Sequence, residues 1–494
     1  MRPLCFFGRR SAFSNAISPA FDLFNTFVMN LKPQLMKFGG TSVEDADAIN
    51  RVSQIVYSRR DSLPIVVVSA MSKVTDALLF CAQRSAEGEL EAARDVIEEH
   101  FLRHTTVAQD LLSTSERASF ESLVEDARAN VAIISRAIRE KRQPFALLQD
   151  ALASIGETLS ASLLAAVLRE KGLPARFVDA RQFIVTDDAW GRAAPLMKET
   201  EQKTRALIQP LLEASELPVM GGFIASTESG ETTTLGRGGS DFTAAIVGAS
   251  LHAQEIQIWT DVPGVMTADP RIVRSARTIP RLSYAEASEL AYFGAKVLHP
   301  KTILPAVERS IPVRICDSRN LEAQGTVVYF DAGRTPRTVK AIAHKMGVHI
   351  LSVTSARMLG AYGFLRAIFD VFERHKTIVD VVTTSEVSVS ISLEDTDALD
   401  SIVRDLQEVG EVKVERGRAI ICVVGEGLRN TSGIAGRLFN TIRDINVLLI
   451  SQGASSINLT FVIEEERAAE AVQRLHAAFF EQAAEETLSH AGGH

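Results

Sequence analysis

Two short segments carry the residue types that phosphate chemistry requires: Lys37-Phe38-Gly39-Gly40-Thr41-Ser42 and Thr232-Thr233-Thr234-Leu235-Gly236-Arg237-Gly238-Gly239-Ser240-Asp241. Each joins bare glycine backbone to hydroxyls and one cation, which suits a site that must hold several negative oxygens away from water. In the first, a short apolar stretch (Leu35, Met36, Phe38) leads into the diglycine, and the acid-rich Val43-Glu44-Asp45-Ala46-Asp47 opens a helix. Strand, glycine turn and helix N-terminus make an anion site, because N–H groups point outward and the helix dipole favours negative charge. No Gly-x-x-x-x-Gly-Lys-Ser/Thr occurs there, so this is not a Walker P-loop. The pair of segments points to phosphoryl chemistry.

Such segments need a rigid frame. From Leu35 to about Phe330, short β-branched runs alternate with helical stretches. Ile65-Val66-Val67-Val68, Pro218-Val219-Met220 and Ile256-Gln257-Ile258-Trp259 read as buried strands, and 78–112 and 123–139 as helices. The pattern predicts an α/β domain whose mainly parallel sheet is covered on both faces. Ligands in such sheets sit at the carboxyl ends of the strands. Asp241 or Ser240 reads as the N-cap of a helix entering Phe242, and Glu157 as a first-turn acid of an apolar helix that starts at Gly156.

The last third repeats itself. A gapless shift of 70 residues pairs Gly363 with Gly433, Phe369 with Phe439, Ser385 with Ser455 and Ile391 with Phe461. Each copy reads strand, helix, strand, strand, helix, and two copies are too few for a solenoid. A packed pair of small modules results, with the seam between them a natural ligand pocket.

Bulk properties bound the rest. The chain has 494 residues, 46% of them hydrophobic, with a net charge of −8. That balance argues against general affinity for nucleic acid or an anionic membrane. Cys5, Cys81, Cys316 and Cys422 are scattered and match no zinc or disulfide framework, which suits a reducing cytoplasm. No apolar run reads as long enough to span a membrane. The first 28 residues hold Arg2, Arg9 and Arg10 with no acid before Asp22. They read as a mis-started frame, with Met29 or Met36 the true start, or as an organelle-targeting peptide.

These residues resemble the aspartokinase family, in its monofunctional, lysine-sensitive branch. The likeness is carried by Lys37-Phe-Gly-Gly-Thr-Ser42, Gly156-Glu157, Gly236-Arg-Gly-Gly-Ser-Asp241 and Trp259-Thr-Asp-Val-Pro-Gly264. It continues through Thr267-Ala-Asp-Pro-Arg271, Phe293-Gly-Ala-Lys-Val-Leu-His-Pro300 and Thr383-Thr-Ser-Glu-Val-Ser388. The resemblance implies an amino-acid-kinase-type sandwich with a mainly parallel sheet over 34–331, then two α+β ACT modules at 340–412 and 416–482. An extension (1–33) and a tail (483–494) flank them. It also implies transfer of the γ-phosphoryl of ATP, carried with Mg²⁺, to the side-chain carboxylate of L-aspartate. That is the first step toward lysine, threonine and methionine, with feedback through the ACT modules. The acceptor carboxylate, with a free pKa near ~3.9, needs no strong base. Catalysis is then positioning plus charge neutralisation.

Residue by residue, the resemblance makes Lys37, Asp241 and Lys296 catalytic, with Asp241 organising the lysines. Gly39, Gly40 and Ser42 join Lys37 around the phosphates. Thr260, Asp261, Met266, Arg271, Lys296 and Val297 complete the nucleotide side, Met266 standing where many relatives have tyrosine. Thr75, Glu157, Phe223, Arg237 and Ser240 form the aspartate pocket, in which Arg237 grips a carboxylate and Glu157 the ammonium. His299 reads as structural, and no protein side chains are assigned to metal. Met358, Phe364, Leu365, Val379, Asp380, Ser385 and Glu386 match positions that bind L-lysine. Ala361 replaces a serine there, which weakens inhibition by about one hydrogen bond, ~0.5–1.5 kcal/mol. Threonine stays open as sole or joint effector, and the ACT modules imply a homodimer or a dimer of dimers. Two other readings compete: a kinase of glutamate or N-acetylglutamate, and an amino-acid sensor that keeps an inactive kinase domain. The first lacks a reason for the Arg237/Glu157 pair and the ACT repeat; the second predicts loss of Lys37, Asp241 or Lys296.

Overall fold

The computed structural model describes residues 32–294, 298–331, 333, 338–360, 362–453 and 455–481. Residues 1–31 of the extension, the whole tail, Lys296, Val297 and Ala361 lie outside the described residues. The first strands and helices are β1 (Gln34–Phe38), α1 (Ala46–Ser58), β2 (Pro64–Val68), α2 (Val74–Glu87), α3 (Leu90–Leu111), α4 (Thr114–Arg139) and α5 (Phe145–Glu170). There follow β3 (Ala175–Phe177), β4 (Val185–Thr186), α6 (Met197–Glu213), β5 (Leu217–Gly221), β6 (Ile224–Thr227), β7 (Thr232–Thr234), α7 (Gly239–Ser250) and β8 (Glu255–Thr260). The domain closes with β9 (Arg281–Ser283), α8 (Tyr284–Tyr292), α9 (Pro300–Glu308), β10 (Val313–Asp317) and β11 (Thr326–Tyr329).

Eight strands form one sheet in the order β3-β5-β2-β1-β8-β10-β11-β9, parallel except where β11 turns back on β10. Its central strands are apolar on both faces because helices cover both. Leu35, Ile65 and Val67 pack on one side with α7; Met36, Phe38, Val66 and Val68 pack on the other with α1, α2 and α5. The 78–112 stretch is two helices: Gly88, at φ +92°, ends α2 in the left-handed conformation that a glycine adopts without penalty. Helix α5 corrects the membrane reading. It is long and apolar enough to cross a bilayer, yet 78% of its apolar window is buried by the protein.

The C-terminal region contains β12 (Ala341–Thr354), α10 (Phe364–Arg374), β13 (Val382–Thr384), β14 (Ser388–Glu394), α11 (Leu399–Gln407) and β15 (Glu411–Val424). It ends with α12 (Ile434–Thr441), β16 (Leu449–Gln452), β17 (Asn458–Glu464) and α13 (Ala468–His476). All six strands share one sheet, β13-β14-β12-β15-β17-β16. The 70-residue shift carries β12 onto β15 and β14 onto β17. The modules are not the contiguous blocks expected from sequence. β15 runs unbroken through the expected boundary, and β12 serves both modules: Leu351 and Val353 join the first core, whereas Ile342 joins the second with Ile421 and Phe461. Two long antiparallel strands, shifted in register near Val348, let each module finish on the other's strand.

The two regions are pinned by a buried ion pair. Lys340 Nζ lies 2.7 Å from Glu286 Oε2, with side-chain exposures of 5% and 1%. Glu286 also accepts from the Ser283 N–H in the capping box of α8. Removing one partner strands the other charge. Lys340→Met is therefore expected to cost about 3–5 kcal/mol in urea unfolding, and Lys340→Met/Glu286→Gln to recover most of it.

Candidate functional site

The parallel strands end on one row. Phe38 pairs with Val68 and Trp259, Val68 with Gly221, and Trp259 with Cys316. The next residues (Gly39-Gly40, Ser69-Ala70, Gly222-Phe223, Thr260-Asp261 and Ser318) therefore crowd one edge, as expected for a parallel sheet. Close approach explains several glycines here. A Cβ on Gly222 would lie 2.7 Å from Ser240 Cα, and one on Gly40 would lie 2.9 Å from the Ala70 carbonyl oxygen.

Lys37 shares the β1 face of Leu35, which α7 covers. Asp241 sits in the first turn of α7, so the two meet in an ion pair of 2.7 Å, with exposures of 12% and 14%. The capping readings of Asp241 and Ser240 are corrected: the N-cap is Gly238, at φ +73°, and no side chain caps this helix. Ser240 is instead tied across the edge, its Oγ accepting from Ser69 Oγ at 3.0 Å. Phe223 has φ +68°, rare for a non-glycine residue; its N–H donates to Thr243 Oγ1 at 3.0 Å and its ring lies against Gly239.

Glu157 corrects a second reading. It lies in the middle of α5, not in a first turn, and only 3% of it is exposed. Gly156 belongs inside the helix because a Cβ there would meet Ala70 and Val74 at 2.9 Å. Thr75 Oγ1 donates to Glu157 Oε1 at 3.4 Å, while Oε2 is buried without a partner. Burial, only partly offset by hydrogen bonds to its own backbone, Ala70 and Thr75, raises the carboxyl to about 7. No cation lies within 4.0 Å of Glu157 among the described residues. Arg237 is the converse. It is exposed between Gly236 and Gly238, both at φ +73°, and among the described residues it has no acidic partner.

The other expected residues divide. Gly39 spends its N–H on the Trp259 carbonyl at 3.4 Å, and Ser42 turns inward toward Ser318 Oγ at 3.5 Å. Thr260 follows Trp259 on the row, and its hydroxyl donates to Asp261 at 3.3 Å. Met266 is half-buried. Arg271 is 87% exposed and forked onto Asp269, so the structure does not turn it toward the strand ends. Its segment rests on the second module: Ala268 and Val273 join that core, and the Thr267 hydroxyl lies 2.9 Å from His476 Nε2. The His299 carbonyl accepts from Thr302 at the start of α9, a structural role.

In the first module, Met358, Phe364 and Val379 pack on one core while Leu365 and Glu386 face solvent. Ser385 Oγ lies 2.7 Å from Ser388 Oγ. The Asp380 carboxylate is already engaged. It lies 2.8 Å from Lys345 Nζ and accepts from the Tyr292 hydroxyl at 2.7 Å. Burial and the Asp380 charge push the Tyr292 phenol up. Sequence reading missed Lys345, Tyr292, Ser69 and Gly221-Gly222. Only the diglycine, beside Phe223, had a local signal.

Comparison with known proteins agrees with this geometry. The sequence profile of the amino acid kinase family matches residues 32–317, and that of the ACT domain residues 421–479. Lysine-sensitive aspartokinase 3 of Escherichia coli (strain K12) is 38% identical over 460 residues, covering 90% of this chain and 98% of that protein. The chloroplastic aspartokinase 3 of Arabidopsis thaliana is 37% identical over 463 residues, covering 90% and 81%. The crystal structure of E. coli aspartokinase III with aspartate and ADP matches with a TM-score of 0.76 at 37% identity, over 91% of this chain and 100% of that one. Its complex with lysine and aspartate matches at 0.79, with the same identity and coverage.

Because the folded carboxyl of Glu157 is raised from 4.5 to about 7, its contribution is full below the ordinary range and is lost as pH rises through about 7. The ligand-free chain should lose on the order of 3 kcal/mol from this group between pH 4 and 8. Thermal melts across that range are expected to show the slope in the parent and a flatter one in Glu157→Gln.

Proposed function

The chain belongs to the aspartokinase family, as an aspartate kinase with ACT-based regulation, and we propose how its residues perform and regulate the transfer. A side-chain carboxylate oxygen of L-aspartate attacks the γ-phosphorus of ATP. The bond to the bridging oxygen of ADP breaks, giving 4-phospho-L-aspartate with no net proton to move. Lys37 neutralises the transferring phosphoryl, and Asp241 holds that ammonium in place. Gly40 and the N-terminus of α7 bring backbone amides to the same anion. Magnesium arriving with the nucleotide supplies further neutralisation when bound, and Asp241 has the donor chemistry to hold one of its waters. On the nucleotide side, Thr260 and Asp261 border the site and Lys296 carries its remaining charge; Arg271, forked onto Asp269, is not turned toward it.

One observation carries the substrate reading: Glu157, a buried carboxylate, and Arg237, an exposed guanidinium next to the strand ends, each have no oppositely charged partner among the described residues. An α-amino acid satisfies both, its ammonium on Glu157 and Thr75 and a carboxylate in the Arg237 fork. Phe223 and Ser240 close the pocket.

Regulation by L-lysine, in the first step of a route to lysine, threonine and methionine, is read from the first module. Lys345 and Tyr292 both hold Oδ1 of Asp380 while Oδ2 is buried without a partner among the described residues, so an effector ammonium competes with an internal one for this carboxylate. Tyr292, the third party, immediately precedes Phe293-Gly294 and the segment carrying Lys296. Loss of its bond to Asp380 is thus felt at the nucleotide side. Leu359, Tyr362 and Ile378 are strongly exposed on this module, which supports pairing between chains.

Acyl phosphate trapped as the hydroxamate tests the reaction. Turnover is expected with L-aspartate and not with L-glutamate or N-acetyl-L-glutamate, and Asp241→Ala or Lys37→Met should lower kcat by about 10²–10³-fold. Product from glutamate alone would overturn the substrate. Lys345→Met removes the internal competitor, so half-inhibition by L-lysine is expected at about tenfold lower concentration. Unchanged inhibition would sink that competition.

A further inference from the structure

Seven residues before Glu157, the same helix carries a second buried acid that the reaction does not use. Asp150 is 3% exposed on α5 and, among the described residues, has no cation within 4.0 Å. Its oxygens instead collect three donors from a different part of the chain. The Gly191 and Thr234 N–H groups both donate to Oδ2 at 2.8 Å, and Thr234 Oγ1 donates to Oδ1 at 2.9 Å. Burial raises this carboxyl and the three donors oppose the rise.

Those donors are the root of the arginine loop. Thr234 ends β7; the Leu235 N–H then donates to the Phe223 carbonyl at 2.9 Å. Gly236, at φ +73°, passes so close to the Gly191 carbonyl that a Cβ would lie 3.2 Å from it. Arg237 follows. The Gly239 N–H closes the turn onto the Gly236 carbonyl at 2.9 Å, and α7 begins. A helix advances 100° and 1.5 Å per residue, so Asp150 and Glu157 lie within about 20° on one face and about 10 Å apart.

We propose that Asp150 is a positioning and specificity-determining residue: by clamping Gly191 and Thr234 to α5 it holds Arg237 at a fixed separation from Glu157, and so sets how far the substrate's side chain reaches toward the phosphate. The proposal rests on the reading of Arg237 and Glu157 as the substrate's anchors. With both anchors set by one rigid helix, a side chain one methylene longer delivers its carboxylate out of line. A methylene in a fitted site is typically discriminated by about 10–200-fold.

The test is steady-state kinetics with L-aspartate and L-glutamate. Asp150→Asn keeps size but offers one carbonyl oxygen, and turns an NH₂ toward groups that are themselves donors. It is expected to raise KM for aspartate at least tenfold, leave KM for ATP within twofold, and cut the aspartate-to-glutamate ratio of kcat/KM at least tenfold. Thr234→Val removes only the hydroxyl bond and should move the same quantities less; if Asp150→Asn does not fold, this variant decides. A merely structural Asp150 would lower the folded fraction while KM and the ratio stay put, and that result overturns the proposal. Glu157→Gln and Arg237→Ala separate the two levels. If neither raises KM for aspartate, the anchor reading fails; if both do and the Asp150 and Thr234 variants do not, only the positioning role fails.

Discussion

The Lys37–Asp241 ion pair is the contact on which the arrangement turns. It joins the central strand of the sheet to the first turn of the helix that covers it, within reach of both phosphate segments. Its geometry follows from elementary periods. Alternation along β1 sends Leu35 and Lys37 to one face, and α7 buries Ala244, Ala245, Ile246 and Val247 against that face. The helix can sit so low because Gly222 and Gly239 leave room for Ser240 and Phe223. Once α7 is docked, Asp241 meets Lys37 and the arginine loop is bounded on one side. The opposite face of the sheet belongs to α5, which bounds that loop on the other. The proposed substrate anchors, Arg237 and Glu157, therefore come from both layers.

The regulatory region touches the catalytic one at two segments that follow the strand-end row in sequence. The segment containing Arg271 packs into the second module's core, and the Ile342 N–H donates to the Thr267 carbonyl at 2.8 Å. The turn before Lys296 is pressed against β12, where a Cβ on Gly294 would lie 2.4 Å from the His344 carbonyl oxygen. β12 completes both modules, so the two cores share one continuous strand.

How much was legible in the sequence depended on how far apart the partners lie. The strands, the glycine turns and the 70-residue repeat are local patterns, and they reappear as β1, β2, β5 and β8, the strand-end row, and the relation of β12 to β15. Glu157 was misplaced because Gly156 reads as a boundary. Its reason for being glycine, the close pass of Ala70 and Val74, lies more than 80 positions away in the chain. The exchange of strands between the modules was hidden for a related reason: β12 looks like one strand of one module until pairing shows that it has two partners along its length. Asp150 and Lys345 gave no signal. A lone acid in an apolar helix and a lysine on a strand read as surface residues until their partners come into view.

Four charged groups of this chain stand in different surroundings, and the difference orders events. Lys37 has a carboxylate, so an arriving phosphate must share it. Asp380 has an internal ammonium on one oxygen, which in the proposed regulation an effector competes with. Arg237 has water, which a carboxylate displaces at little cost. Glu157 has no cation among the described residues, and burial without one raises its carboxyl to about 7. In the proposed reaction a substrate ammonium on Glu157 favours its charged form, so binding is coupled to pH near neutrality even though the chemical step itself needs no general base. The proposed mechanism thus separates chemistry from binding: the phosphoryl passes to an already ionised oxygen, and Glu157, raised to about 7, serves recognition.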